Sequence, residues 1–340
     1  MAIRLLLAAT ILLFPAIPVF AAKTDVVVLR NGDHVTGEVK QLSRGQLKLS
    51  TDDVGTVYVE WDKIASVTTA LEYEVVTTSG DRHVGTLAPG SVTELKVVAS
   101  NGTETMLAFL DVVSFAPIKE GFLERIDGTL DVGGSYTKSS GVGELMVDLD
   151  AAYRRPSYKM FTDFESTLTS QSVEGTTSQF TLQSGYMHFR GDGWIVSPFA
   201  YVARNVDLGF SLGTSAVLTL GRYVERSNRS ETLVAFGGAA GREALIDGRT
   251  IHHIAAAARV ATSFYRYDSP KTAFDLSLLV FPELNRLGRV RGFAHVKVKR
   301  ELVKDLIVAV TVYDTFDSQP QVDGVSRNDV GTGLSIGWTF

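Results

Sequence analysis

Over the C-terminal part of the chain, apolar residues recur at every second position in short runs. Such a strand has two faces that meet different surroundings. In the last segment Leu334, Ile336, Trp338 and Phe340 occupy one face, and Gly333, Ser335, Gly337 and Thr339 the other. Transmembrane barrels commonly close on a strand that ends at an aromatic residue, so these four apolar side chains are expected to form the lipid face of a closing strand. The same reading yields twelve candidate strands: 124–136, 142–153, 157–168, 178–190, 194–204, 207–221, 231–241, 251–265, 272–281, 290–300, 305–316 and 328–340. Twelve is an even number, and a tilted strand needs roughly 9–11 residues to cross a bilayer.

Several of these runs sort polar from apolar cleanly. Leu145, Val147 and Leu149 oppose Glu144, Asp148 and Asp150, with Met146 interrupting the polar set. Val296 and Val298 face away from Lys297 and Lys299. An Arg or Lys facing lipid at the midplane costs roughly 2–4 kcal/mol. Arg291, His295, Lys297, Lys299 and Glu301 are therefore expected to face the lumen, where opposing acids neutralise the basic wall.

The connections also divide. One set, 154–157, 191–193, 222–230, 266–271 and 300–304, is expected at the periplasmic end. The other, 137–141, 169–177, 205–206, 242–250, 282–289 and 317–327, is expected outside and is generally longer. Tyr153, Tyr158, Tyr186, Trp194, Tyr201, Tyr223, Tyr265, Tyr313 and Trp338 fall near strand ends, where interfacial aromatics belong.

Residues 24–118 differ, with shorter strands punctuated by glycine. Asp25–Asp33 runs into an Asn-Gly turn, a strong hairpin signal. The pattern then repeats: Gly32-Asp33 matches Gly80-Asp81, Gly37 matches Gly85, Leu47 and Leu49 match Leu95 and Val97, Trp61 matches Phe109, and Ile64 matches Val112. A common offset of 48 positions across these pairs indicates duplication. The copies are expected at 24–69 and 72–117, packed together because neither buries enough core alone. Trp61 and Phe109 read as core anchors. Asp33, His34, Arg82 and His83 read as solvated turn residues.

The first 22 residues carry Arg4, an apolar run from Leu5 to Phe20 and small residues at Val19-Phe20-Ala21, which reads as a cleaved secretory signal peptide. No cysteine follows, which removes a lipid anchor and, with none elsewhere, disulfides and thiolate metal sites. A net charge of −5 with scattered basic residues gives no case for nucleic acid. Hydrophobic residues make up 45% of the chain, yet the mature part has no run long enough for a membrane helix. Many short apolar strands account for both.

Candidate chemistry is sparse. His252 and His253 are adjacent and so point to opposite faces of a strand. One could face the lumen beside Asp247 or Glu243, but no converging metal ligands are visible. An outer-membrane hydrolase needs a serine within reach of a histidine. His188, His252, His253 and His295 are available, but no serine is singled out by spacing and there is no Gly-x-Ser-x-Gly elbow. The glycines at 237, 238 and 241 read as close wall packing rather than a phosphate loop. No catalytic, metal or cofactor-binding residues are therefore assigned, and no cofactor is expected.

Asp25-Val-Val-Val-Leu-Arg-Asn-Gly-Asp-His-Val-Thr-Gly37 and Val57-Tyr-Val-Glu-Trp-Asp-Lys-Ile-Ala-Ser-Val67 resemble the DUF481 family, the YdiY-like or salt-induced outer-membrane proteins. The segments 313–320 and 329–340 are similar to that family's last loop and closing strand. Gly133-Gly134-Ser135-Tyr136 stands where the family carries a Gly-Asn-Thr-like segment, a departure from its pattern. The resemblance implies a secreted precursor with a small periplasmic β domain before an outer-membrane barrel.

The expected fold is all-β: a cleaved signal peptide (1–22), a duplicated SH3- or Sm-like β module in the periplasm (23–118) and an antiparallel transmembrane β-barrel of about twelve strands (119–340). The expected role is non-enzymatic: a structural, accessory or ligand-binding protein of the Gram-negative envelope. The alternatives are a passive small-solute or anion channel, an outer-membrane hydrolase, or a soluble secreted β protein. Expected partners are outer-membrane lipid, the barrel-assembly machinery at the C-terminal strand, and a periplasmic partner or small solute.

Overall fold

The computed structural model describes residues 24–338 except 92, 119–125, 138–141, 172–174, 207, 269–270 and 304–305. The expected signal peptide and Phe340 lie outside the described residues. The protein is all-β, with two large antiparallel sheets. Among the described residues no helix is long and apolar enough to cross a membrane.

The first sheet has ten strands: β1 (Asp25–Leu29), β2 (His34–Ser43), β3 (Gln46–Ser50), β4 (Thr56–Glu60), β5 (Ile64–Thr68), β6 (Glu72–Thr77), β7 (Arg82–Pro89), β8 (Glu94–Val98), β9 (Glu104–Ala108) and β10 (Val112–Pro117). A single 3₁₀ turn precedes β5 at Trp61–Lys63, and another precedes β10 at Phe109–Asp111. The 48-residue offset thus spans the strands, both turns and the positive-φ glycines Gly32 and Gly80. The halves join where β10 pairs with both β6 and β2.

Alternation drives this core. Val27, Val39, Leu47, Leu49, Ile64, Tyr73, Val75 and Leu95 are fully buried, and Trp61 and Phe109 meet with ring centroids 4.8 Å apart. The Trp61 indole N–H donates to the Phe109 carbonyl at 2.7 Å, tying one copy to the other. Asp25 does the same with charge: its carboxylate accepts from the backbone N–H of Val39 at 2.8 Å and of Ala70 at 3.0 Å, and from the Tyr73 hydroxyl of the second copy at 3.4 Å. Tyr73 donates to the Val39 carbonyl beside it. Burial, with Asp25 and Glu38 nearby, pushes its hydroxyl well above the ordinary tyrosine range.

The second sheet has twelve strands in simple meander order: β11 (Ile126–Thr137), β12 (Val142–Arg155), β13 (Tyr158–Gln171), β14 (Gly175–Phe189), β15 (Trp194–Asn205), β16 (Phe210–Arg226), β17 (Ser230–Leu245), β18 (Thr250–Arg266), β19 (Thr272–Pro282), β20 (Val290–Val303), β21 (Leu306–Asp317) and β22 (Asn328–Trp338). Among the described residues no ladder joins β11 to β22, so the expectation of a closed ring is not met by the backbone. The sheet is nevertheless strongly curled. Tyr201 on β15 lies 5.3 Å from Phe293 on β20 by ring centroid, and Asn205 donates to Asp329 on β22 at 2.9 Å.

Its strands outrun their expected ends. β16 continues through Arg226 and β17 through Leu245, so the turns expected at 222–230 and 242–250 shrink to the residues between Arg226 and Ser230 and between Leu245 and Thr250. Charged residues there read as turn from sequence, yet the ladder continues through them, with Arg242 exposed and Glu243 buried.

The curl separates two faces. From β13 to β21 the odd-numbered positions supply the enclosed side, including Phe161, Phe199, Val217, Ala239, Ala257, Leu279 and Phe281. Even-numbered positions mostly face out, and large apolar side chains stand among them: Leu218 is 56% exposed, Phe236 64%, and Leu220, Ile254 and Leu278 are also exposed.

Candidate functional site

β20 sets five candidate residues, Arg291, His295, Lys297, Lys299 and Glu301, at alternate positions in phase with Phe293, which packs against the enclosed apolar cluster. Lys297 is in register with Asp275 on β19 and Thr311 on β21. Glu301 accepts from the Lys271 backbone N–H at 3.3 Å. Asp148 and Asp150 on β12 are in backbone register with Glu165 and Asp163 on β13. The closing-strand residues Leu334, Ile336 and Trp338 are in register with Val310, Val308 and Leu306. Their side chains lie outside the described residues.

Only Arg291 of the five joins the most organised feature, an ionic cluster under one rim. Arg289, almost fully buried at the end of the 283–289 connection, is its centre. It donates to Glu283 at 2.8 Å, to Glu243 at 2.9 Å and, bidentately, to Asp317 at 2.6 and 3.1 Å. Arg291 donates to the second oxygen of Glu243. Planar guanidinium forks suit such multi-carboxylate contacts, and the pairing offsets the desolvation of each charge. Three carboxylates face two guanidiniums. Glu283 Oε2 and Arg291 Nε are buried without a hydrogen-bond partner.

Sequence reasoning singled out Arg291 but missed Arg289, Glu283 and Asp317. They lie at strand ends or in a connection: Glu283 and Arg289 face each other across the β19–β20 hairpin and Asp317 stands on the neighbouring β21, while Glu243 reaches them from β17. Glu243 was noticed only as a neighbour for a histidine. It is that neighbour: His253 is buried while His252 is exposed, and His253 Nδ1 lies 3.7 Å from Glu243 Oε1. On its other side His253 Nε2 is 3.0 Å from Ser215 Oγ. The serine–histidine contact that spacing could not reveal is therefore present. Among the described residues no group of three or more potential ligands could hold a metal ion.

Among the described residues the enclosed side carries three successive groups of contacts. Below the ionic cluster, Phe161, Phe199, Tyr201, Phe281 and Phe293 form an apolar layer. Above it the 318–327 segment folds inward. Arg249 donates to the Gln321 carbonyl at 2.6 Å, Arg286 bonds the Gln321 side chain, and Gly209 lies against Val322 and Val325.

The opposite rim carries the N-terminal module. Arg44 and Gly45, both at positive φ, form the tip of the β2–β3 hairpin. Arg44 pairs with Asp275 at 3.3 Å and stacks over Tyr265 at 4.7 Å. A Cβ at Gly45 would collide with the Tyr267 ring, which explains glycine there. Asn228 donates to the Val112 carbonyl at 3.0 Å, and Arg82 lies 3.7 Å over the Phe189 ring.

No protein-family model matches this sequence, and no curated protein matches it. Among solved structures the chain is similar to a NanC porin crystallised in a rhombohedral form, with a TM-score of 0.41 and 11% identity, over 62% of this chain and all of that one. A likeness of that size decides nothing about fold or role.

Proposed function

We propose that this chain is a bacterial outer-membrane β-barrel protein with a structural, accessory or ligand-binding role in the envelope and a lumen closed by its own side chains. The observation that carries the reading is the inversion of the second sheet. Charged residues and their partners gather inside, while large apolar side chains such as Leu218, Leu220, Phe236 and Ile254 face out. In water such a surface would be an aggregation hazard; in hydrocarbon it is the stable arrangement.

A band of outward aromatics lies at the module's end of the sheet. Tyr153, Tyr158 and Tyr186 are linked by centroid distances of 6.3 and 5.1 Å, and Trp194 lies under the Arg222 guanidinium. That is the position of an interfacial girdle. In this reading β11 and β22 seal against each other in the membrane, because unpaired backbone is not tolerated in lipid. The module then lies in the periplasm against the barrel's inner rim. Membership of the DUF481 family belongs to the same proposal and rests on the resembling segments 25–37 and 57–67.

The passive-pore alternative is disfavoured by the aromatic layer, the Arg289 cluster and the inward 318–327 segment, which occupy the path in series. Reconstitution into planar bilayers tests the choice. The proposal expects no unitary current from the full chain, whereas reproducible steps would establish a pore. Heat-modifiable migration on a detergent gel tests the barrel itself, and its absence would return the chain to the soluble β class.

A further inference from the structure

We propose that Ser215 is a nucleophile activated by His253, and that the enclosed site beneath the 318–327 segment hydrolyses small esters with apolar acyl groups. This goes beyond the envelope role and does not depend on the surrounding solvent being lipid.

Three neighbouring strands build the arrangement. Ser215 on β16, Gly241 on β17 and His253 on β18 are direct cross-strand partners, so they form one row on the enclosed face. Side chains of one row that stand two strands apart ordinarily cannot touch across an intervening strand that bears its own side chain. Gly241 removes that obstacle. A Cβ there would fall 2.8 Å from both Cε1 and Nε2 of the His253 ring, so the ring occupies the place a side chain would take. The imidazole thereby reaches over β17 to Ser215 Oγ at 3.0 Å.

Glu243, two residues along β17 on the same face, lies on the ring's other side at 3.7 Å from Nδ1. Neighbours assign the tautomer: a proton on Nδ1 faces the carboxylate, leaving Nε2 to accept from the serine hydroxyl. Nδ1 has no hydrogen-bond partner at rest, and its ring is buried. A slight approach to Glu243 would complete the contact as the ring gains charge.

Space and counter-charge lie on the same side. Ser215 and Glu243 line a cavity of about 20 Å³ with Tyr201, Phe210, Phe293 and Arg291. That volume holds about one water, the co-reactant that deacylation needs. The apolar walls suit a short acyl chain once the overlying segment yields. Arg291 presents the cation that a developing oxyanion requires.

The chemistry balances. Ser215 Oγ bonds to the ester carbonyl carbon as its proton passes to His253 Nε2. The tetrahedral species then collapses, the ester C–O bond breaks, and the leaving oxygen takes the proton from Nε2. Water next adds to the acyl carbon, giving its proton to Nε2. The acyl–Oγ bond breaks, and the serine oxygen recovers that proton. The net change is ester plus water to acid plus alcohol. Ser215 and His253 are the catalytic residues, and Glu243 is a positioning residue.

The test is covalent labelling of the full chain in detergent with diisopropyl fluorophosphate, read by intact mass and peptide mapping. A phosphorus–Oγ bond forms at Ser215 and fluoride leaves. The expected result is labelling at Ser215 that S215A abolishes and H253Q slows by roughly 10²–10⁴-fold, the usual contribution of a general base. H253Q keeps a polar group in the same space, and an unchanged circular dichroism spectrum and melting profile show that the variant folds.

E243Q adds a readout that a purely structural role would not move. The charged groups that act on His253 are Arg291 and Arg289 as cations and Glu243 as the anion, with His252 next in sequence. Removing the Glu243 charge lowers the ring's proton affinity, so the acid limb of the labelling-rate profile moves to lower pH. No label on Ser215 in the folded wild type, or equal labelling of wild type and H253Q, would overturn the proposal.

Discussion

The two sheets obey opposite rules with the same alphabet. In the N-terminal module, alternation places Val27, Val39, Leu47 and Ile64 in a dry interior with Trp61 and Phe109 at its centre. The twelve-stranded sheet sends much of its apolar mass outward. Its enclosed face holds a buried five-member ionic cluster near one rim and an aromatic layer below. Period-two alternation fixes which residues share a face. What lies beyond each face decides which one is apolar.

The comparison can be broken most forcefully at the cluster. Replacing Arg289 with methionine preserves bulk but leaves Asp317 without a guanidinium and Glu243 and Glu283 with Arg291 alone, and loss of one partner of a buried ionic network costs about 3–5 kcal/mol. The heat-modifiability midpoint of the second sheet should fall sharply while the module's near-ultraviolet signal persists. A shift confined to the module would show that the regions are not as separable as their cores imply.

The next effect contrasts equal substitutions on opposite surfaces. Phe236→Arg, on the outward face of β17, should cost about 2–4 kcal/mol in a bilayer. Leu110→Arg, at an exposed site of the module, should change stability by no more than about 0.5 kcal/mol. Urea titration of both variants in lipid vesicles separates them, and similar small losses would remove hydrocarbon from the account.

Asp25→Ala probes the module alone. It leaves the Val39 and Ala70 N–H groups without their acceptor, at about 1–3 kcal/mol. Circular dichroism on heating should show the module melting earlier with the barrel transition unmoved. Smallest is Arg44→Ala. A partly exposed ion pair contributes about 0–1 kcal/mol, so global stability should hardly change. Limited proteolysis after residue 118 should nonetheless quicken as the hairpin tip loosens from Asp275 and Tyr265.

Much of this was legible in the sequence because alternation is local. The twelve candidate strands each overlap an observed one, and Arg291 lies in phase with the enclosed Phe293. The offset relating Trp61 to Phe109 reappears as paired 3₁₀ turns. Strand ends were not legible. Arg222, Arg226 and Arg242 look like turn residues, yet they extend the ladders. The ionic cluster was hidden for a different reason: Asp317 meets Arg289 only through the β20–β21 pairing, and Glu243 comes from β17, three strands away. Ser215 and His253 needed more still, since their contact depends on register through Gly241. A glycine directly opposite both a serine and a histidine is the signal that could have found them, but it exists only once pairing is known.

The most direct test of the inversion uses the absence of native cysteine. Single cysteines placed at Val217, Leu218, Thr219 and Leu220 of β16 would carry spin labels in reconstituted vesicles. Collision rates with oxygen, which concentrates in lipid, would be compared with those of a water-soluble nickel chelate. The account predicts that labels at 218 and 220 meet oxygen and not nickel, while those at 217 and 219 are shielded from both. Nickel access at 218 and 220 would contradict it.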